Sequence, residues 1–132
     1  MIAREFRRKA KPMLLSGIAT IGLLFLFFAA RVAISEEAEL GEQLFMDNCA
    51  ECHQPDGHGL AGIYPSLRAS EIVRGSGVDV ALQLIIGRGE MPSFAGALSA
   101  AEMAKLINYV RGTFSGSEET ISADTVAALL AQ

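Results

Sequence analysis

Between Met13 and Ala30 the chain reads MLLSGIATIGLLFLFFAA, a run without one charged side chain that limits the fold more than any other feature. As a helix it would be about 27 Å long, close to the roughly 30 Å hydrocarbon core of a bilayer. The bilayer core has no water to satisfy unpaired backbone groups, so a segment that crosses it must be helical. Arg4, Arg7, Arg8, Lys9 and Lys11 stand before the run. Basic flanks stay on the cytoplasmic side, so the reading is a single-pass anchor in the inner (cytoplasmic) membrane, with everything after Arg31 on the periplasmic side. A cleaved leader would need small residues one and three positions before the cut. Cutting after Ala30 puts Phe28 at the outer of those positions, and cutting after Ala33 puts Arg31 there. Both are poor sites, and the run is long for a leader. The expectation is therefore an uncleaved span over 13–30 within a first region 1–31. A buried core helix is a poor alternative, because so short a chain has little else to wrap it.

Charge separates this region from the rest. Residues 1–31 hold six Lys or Arg against Glu5 alone, whereas residues 32–132 hold five basic and fourteen acidic side chains. A body this acidic argues against nucleic-acid binding. Apolar residues at 51% exclude a disordered chain, and a total of two cysteines excludes a disulfide-dense scaffold.

Three helical signals follow, and no stretch shows sustained strand alternation, so the fold class expected is all-α. The first signal runs from about Ser35 to Asn48, with Ser35 as cap, Glu36 and Glu37 in the first turn, and Leu40, Leu44 and Phe45 on an apolar stripe. The second, from about Val78 to Ile86, brings Leu82, Ile85 and Ile86 to one face and stops at Gly87. The third opens with the capping box Ser99-Ala-Ala-Glu102 and the hydrophobic staple Leu98–Met103. It turns Met103, Leu106, Ile107 and Val110 inward and ends near Gly112. Stretches 53–77 and 87–98 are rich in Gly, Pro and Ser and read as loops. Short helices with that much loop give a thin core, which something other than side chains must fill.

Cys49-Ala-Glu-Cys52-His53 identifies the filler. C-x-x-C-H is the attachment pattern for c-type haem. One helical turn sets two thiols beside the two vinyl groups of a single porphyrin, and the next residue brings an imidazole beneath the iron. The other ring nitrogen of such an imidazole is normally hydrogen-bonded, which fixes its orientation. Other readings of the thiols explain less. A thioredoxin-like dithiol would sit in a βαβ context that the chain lacks. A structural disulfide leaves His53 without a role, and a zinc site lacks a second pair of ligands at suitable spacing.

The second iron ligand expected is Met91, in Gly-Arg-Gly-Glu-Met-Pro-Ser-Phe between the second and third helices. A loop can bring a thioether to the face away from His53, which no residue on the same helix can do. Pro92 stiffens this loop, and Gly87 and Gly89 allow tight backbone passage. Met46 and Met103 read as packing, and Met13 belongs to the anchor. His58, in a tight Asp-Gly-His-Gly loop just after His53, is the rival ligand and a poor one.

With these residues in view, the chain resembles a class I cytochrome c, single-haem and membrane-anchored, over about residues 36–114. Beyond C-x-x-C-H the pattern matches at Gly41, Phe45, His53-Gln-Pro-Asp-Gly-His-Gly59, Tyr64-Pro65-Ser-Leu67, Met91-Pro92 and Tyr109. The resemblance implies a small cytochrome c fold of about three to five helices around one covalently attached haem c, preceded by the transmembrane helix. It implies that the first and last helices cross, with Gly41 and Phe45 against Tyr109. It also implies that Pro65 braces the proximal His53 through its backbone carbonyl. The haem domain would cover 32–114, and 115–132 would be a tail forming a short helix packed on it. Tyr109-Val-Arg-Gly-Thr-Phe114 followed by Ile121-Ser-Ala-Asp-Thr-Val126 resembles the ending of cytochrome subunits attached to membrane-bound dehydrogenases.

Iron held on both faces by protein has no open position for substrate and moves single electrons. The function expected is therefore periplasmic electron transfer between respiratory partners, as a shuttle or as a subunit of an oxidase or dehydrogenase complex, with no catalysis of its own. The acidic body favours a redox donor and acceptor with basic docking surfaces. Asp47, Glu51, Asp56 and Glu90 are the acids nearest the haem-binding segments, and the same acids serve equally as a solvated face. Two alternatives stay open. One is a five-coordinate haem sensor or peroxidase-like domain, if Met91 does not bind. The other is a thiol–disulfide oxidoreductase built on Cys49 and Cys52.

Overall fold

Six helices follow one another through residues 37–132, the part of the chain that the computed structural model describes. α1 covers residues 37–48, α2 Ala50–His53, α3 Glu71–Arg74, α4 Gly77–Ile86, α5 Ala100–Ser115 and α6 Ala123–Leu130. Among the described residues no strand forms, and extended backbone meets only in isolated bridges such as Arg88–Met91. No helix among them is long and apolar enough to cross a membrane. The expected anchor at 13–30 and the Ser35 cap lie outside the described residues.

The resemblance implied three to five helices, and the excess comes from single turns. α2 follows α1 after a one-residue turn at Cys49, whose N–H donates to the Phe45 carbonyl at 2.8 Å. α3 lies inside the stretch 53–77 that reads as loop. The Ser70 hydroxyl caps it by accepting from the Val73 N–H at 3.3 Å, and Val73 is buried. One turn is too short to display a helical period, so Gly, Pro and Ser content dominates the sequence pattern there.

α1 packs on α5 through Gly41. A Cβ placed on Gly41 would stand 2.7 Å from the Lys105 carbonyl oxygen and 2.8 Å from Tyr109 Cβ, so only hydrogen fits between these backbones. The Phe45 ring extends the contact, with centroids 5.7 Å from Tyr109 and 5.1 Å from Phe114. Leu44 and Phe45 are buried, but Leu40 and Met46 are exposed, which corrects the expectation that both join the packing. The reason is geometric. Met46 follows the inward-facing Leu44 and Phe45 by one position, so the helix has already turned it away from α5.

α4 begins on a capping box, Ser76 with Asp79, and buries Gly77, Val80, Ala81 and Leu84. Leu82 and Ile86, grouped by sequence as a face, point outward and are 39% and 73% exposed. A helix that is apolar nearly all round does not reveal by periodicity which side meets the core. α5 also begins on its capping box, Ser99 with Glu102, and Leu98 and Met103 are both buried. It continues past Gly112 and stops at Gly116, which adopts the left-handed conformation. A glycine costs a helix interior only about 1 kcal/mol relative to alanine, and burying Phe114 beyond it outweighs that.

The final segment hangs on α5. Asn108 accepts from the Ile121 N–H at 2.8 Å and donates to the Ile121 carbonyl at 3.2 Å. Arg111 is buried and donates to the carbonyls of Gly75 at 2.7 Å and Glu119 at 3.0 Å. Val126 of α6 has no exposed surface, a burial worth about 1.5–3 kcal/mol. One helix, α5, therefore holds both the tail and the turn after α3.

Candidate functional site

A cavity of about 520 Å³ opens among α1, α2, α3, α4, α5 and the loop that follows α4. That volume falls in the range of about 300–1,000 Å³ expected of cofactor pockets. Phe45, Leu84, Leu106, Ile107 and Val110 give it apolar walls. Cys49, Cys52, His53, Pro65 and Met91 all line it, so the structure brings together the five residues assigned to haem attachment, ligation and bracing. His58 does not line it. It is exposed, with its backbone N–H donating to Asp56 Oδ1 at 3.0 Å.

The turn between α1 and α2 sets the thiols. Cys52 N–H donates to the Cys49 carbonyl at 3.2 Å, one helical turn apart. Burial, reinforced by Cys52 beside it, pushes the Cys49 thiol up to about 11. Thiol–disulfide oxidoreductases depend on a depressed thiol pKa, so this environment points away from that chemistry. Among the described residues no three His, Cys, Asp or Glu side chains cluster as a metal ion alone would need. The Tyr64 phenol adjoins Cys52, whose charge and then hydrogen bonding raise its pKa.

His53 is fixed at three points. Its backbone N–H donates to the Cys49 carbonyl at 2.9 Å, and its carbonyl accepts from Gly59 at 2.8 Å. Its ring Nδ1 lies 3.0 Å from the Pro65 carbonyl oxygen. A carbonyl can only accept, so Nδ1 carries a proton and Nε2 is the ring nitrogen left for another partner.

Met91 sits on a tight reversal. Arg88 N–H donates to the Met91 carbonyl at 3.0 Å, and Met91 N–H donates back to Arg88 at 3.1 Å. Gly87 enters this reversal at φ +74, and a Cβ there would lie 2.6 Å from the Met91 carbonyl oxygen. Gln83 on α4 places Nε2 3.7 Å from Met91 Sδ, within donor range for sulfur.

Sequence reasoning missed Gln83 and the wall made by α3, and it named Tyr64 only as part of the family pattern. Gln83 did carry a signal, being the lone uncharged polar side chain in GVDVALQLII. The cap at Ser70 was also legible in principle, but no periodic segment stood behind it.

The donor set fits a haem. Two neighbouring thiols, an imidazole with one nitrogen held and the other free, and a thioether from a separate loop all face one apolar cavity. An all-α domain with such a cavity defines a small electron-carrying haem protein. Comparison with known proteins agrees. Residues 36–110 match the family model described as cytochrome C oxidase, cbb3-type, subunit III. Cytochrome c6 of Synechocystis is 32% identical over 102 residues, covering 71% of this chain and 82% of that protein. The cbb3-type cytochrome c oxidase subunit FixPc of Rhizobium leguminosarum is 33% identical over 82 residues, 60% of this chain and 29% of the subunit. The gluconate 2-dehydrogenase cytochrome c subunit of Pantoea cypripedii is 26% identical over 108 residues, and the match spans 71% of this chain but 24% of that subunit. The chain belongs to the cytochrome c family, of the class I type, and its cofactor is covalently bound haem c.

Proposed function

We propose that this chain is a membrane-anchored, single-haem cytochrome that passes electrons on the periplasmic side between respiratory partners, either as a tethered shuttle or as a fixed subunit of an oxidase or dehydrogenase complex. The observation that carries the reading is His53, held by Pro65 in the tautomer that frees Nε2, lining the same cavity as Met91.

When bound, haem supplies a one-electron couple at iron. The chain's residues do the rest. Cys49 and Cys52 would hold the porphyrin covalently at the cavity they line. His53 and Met91 are the residues that would ligate the iron, which would leave no place there for substrate. Pro65 locks the imidazole in orientation, and Gln83 steadies the thioether. The apolar walls exclude water, which keeps solvent reorganisation small. The acidic surface, with Glu51 and Glu90 exposed near the cavity, favours a partner with a basic docking face. The anchor over 13–30 confines the domain near membrane partners and raises its effective concentration there.

The test is made on full-length protein from membranes. Haem should stay with the polypeptide on a denaturing gel, and the oxidised protein should show the weak red band of methionine sulfur on ferric haem. Intact mass should include residues 1–31, and the protein should stay in membranes after carbonate washing. Covalent haem without the red band, together with carbon monoxide binding by the untreated protein, would replace the carrier with a five-coordinate sensor or peroxidase-like domain. A mature N-terminus between Ala30 and Glu36 would remove the anchor.

A further inference from the structure

The outward side of α4 is unlike the surface of an ordinary soluble helix. Leu82 and Ile86 project from it, and the gap between them and α3 is a groove of about 450 Å³. Ile72 and Gln83 line this groove and also line the main cavity. A single layer of side chains therefore separates an occupant of the groove from the haem pocket. Glu71 and Asp79 stand on the rim. Hydrogen bonds from Ser76 hold Asp79 ionised below the usual carboxylate range, and Glu71 is exposed with Arg74 3.2 Å away.

We infer that this groove docks the redox partner, a protein surface that inserts an apolar side chain against Leu82 and Ile86 and sets Lys or Arg toward Asp79 and Glu71. The inference rests on the carrier function proposed above and adds the place of contact. Charge selects this occupant. Residues 37–132 carry thirteen acids against five basic residues, so a second copy would bring acid against acid. An anionic lipid surface is repelled for the same reason, and a flat bilayer does not fill a concave groove. An apolar knob with a basic surround satisfies both the shape and the sign.

The experiment places a reporter in the full chain in its own membranes. Ile86→Cys is labelled with a membrane-impermeant maleimide, with Thr113→Cys, exposed on α5, as the control. The expected result is at least tenfold slower labelling of position 86 than of position 113 in membranes and in mild detergent at low salt. High salt should abolish the protection, and purified protein in the same detergent should label equally at both positions. Ile86→Glu should slow haem oxidation in membranes by tenfold or more while leaving the absorption spectrum unchanged. Equal labelling in membranes would overturn the proposal. Protection that vanishes when detergent replaces the bilayer would assign the groove to lipid instead, and protection of purified protein that disappears on dilution would assign it to a second copy. Covalent haem and the red band are read on the same samples. If they are present and the labelling is equal, the docking site alone falls. If they are absent, the carrier function falls with it.

Discussion

Gln83 Nε2 stands 3.7 Å from Met91 Sδ, and among the described residues it is the one side-chain donor brought to that sulfur. A donor on the thioether withdraws electron density from sulfur and makes it a poorer partner for ferric iron. The hydrogen bond therefore favours the reduced state and raises the potential. Gln83→Leu keeps the apolar volume and removes the donor, so the potential should fall. A neutral hydrogen bond is worth about 1 kcal/mol, which is roughly 40 mV for a one-electron couple. A redox titration measures the change, and a potential that rises or stays fixed would mean that Gln83 does not reach the sulfur in the haem protein.

Met91→Ala should leave the thioethers to Cys49 and Cys52 in place and open one axial position. The expected product keeps covalent haem, becomes high-spin, loses the red band and binds carbon monoxide or cyanide. The potential should fall, because methionine ligation raises it relative to most alternatives. An unchanged spectrum would hand the position to another side chain, and His58→Ala in the same background would show whether that residue has taken it.

Much of this site could be read from sequence because its chemistry is local. Cys49, Cys52 and His53 fall within one turn, and Met91 is marked by Pro92 and by Gly87, whose positive φ the tight reversal requires. The helix beginning at Ser99 was equally legible, since a capping box and a buried stripe agree. What escaped is what depends on distant residues. The orientation of α4 was ambiguous because both its faces are apolar, and contact with α5 and α6 decides which one is buried. α3 was hidden because a single turn has no period. The burial of Arg111 depends on the carbonyls of Gly75 and Glu119, which no spacing rule connects to it.

Gly41→Ala tests the crossing of α1 and α5. The added methyl would meet the Lys105 carbonyl at 2.7 Å and Tyr109 Cβ at 2.8 Å, and neither is a flexible side-chain end. The helices must part, which overpacking data place at about 1–3 kcal/mol. For a domain of this size each kcal/mol lowers the unfolding midpoint by roughly 4–8 °C. Because α1 leads directly into Cys49, haem attachment during maturation should also become less complete. A midpoint equal to the parent's would show that the crossing has slack the structure does not display.

The capping boxes predict the acid limb of stability. Hydrogen bonds from the Ser76 backbone and hydroxyl hold Asp79 below its ordinary 3.8, and those from the Ser99 hydroxyl and backbone hold Glu102 below its ordinary 4.5. Folded values lower than unfolded ones mean that both caps contribute fully above the ordinary values. The contribution is lost as pH falls from there through the folded values. Asp79→Asn with Glu102→Gln should therefore unfold at lower temperature than the parent at neutral pH, with the gap narrowing below about pH 4.5. Thermal midpoints across pH 3 to 7 make the comparison, and a gap that widens in acid would reverse the assignment.

Arg111 and Glu119 give the last prediction. The arginine side chain is 2% exposed and the glutamate side chain 66%, and their 2.8 Å contact is one of three that the guanidinium makes. A half-solvated ion pair contributes about 0–1 kcal/mol, so Glu119→Gln should shift the unfolding midpoint little. Arg111→Ala is different, because it leaves the Gly75 and Glu119 carbonyls without their donor and empties a buried site. A hydrogen bond from a charged donor is worth about 1.5–3 kcal/mol, so losing the two carbonyl contacts outweighs losing one half-solvated ion pair. Arg111→Lys should recover only part of this, since one ammonium on a flexible stem cannot reach two carbonyls and a carboxylate in the fixed fork that guanidinium offers. α3 walls the haem cavity and Arg111 ties down the turn that follows it, so Arg111→Ala should also weaken the red band as temperature rises, at temperatures where Glu119→Gln leaves it intact. If Glu119→Gln proved as damaging as Arg111→Ala, the ion pair and not the carbonyl contacts would be what fastens the tail.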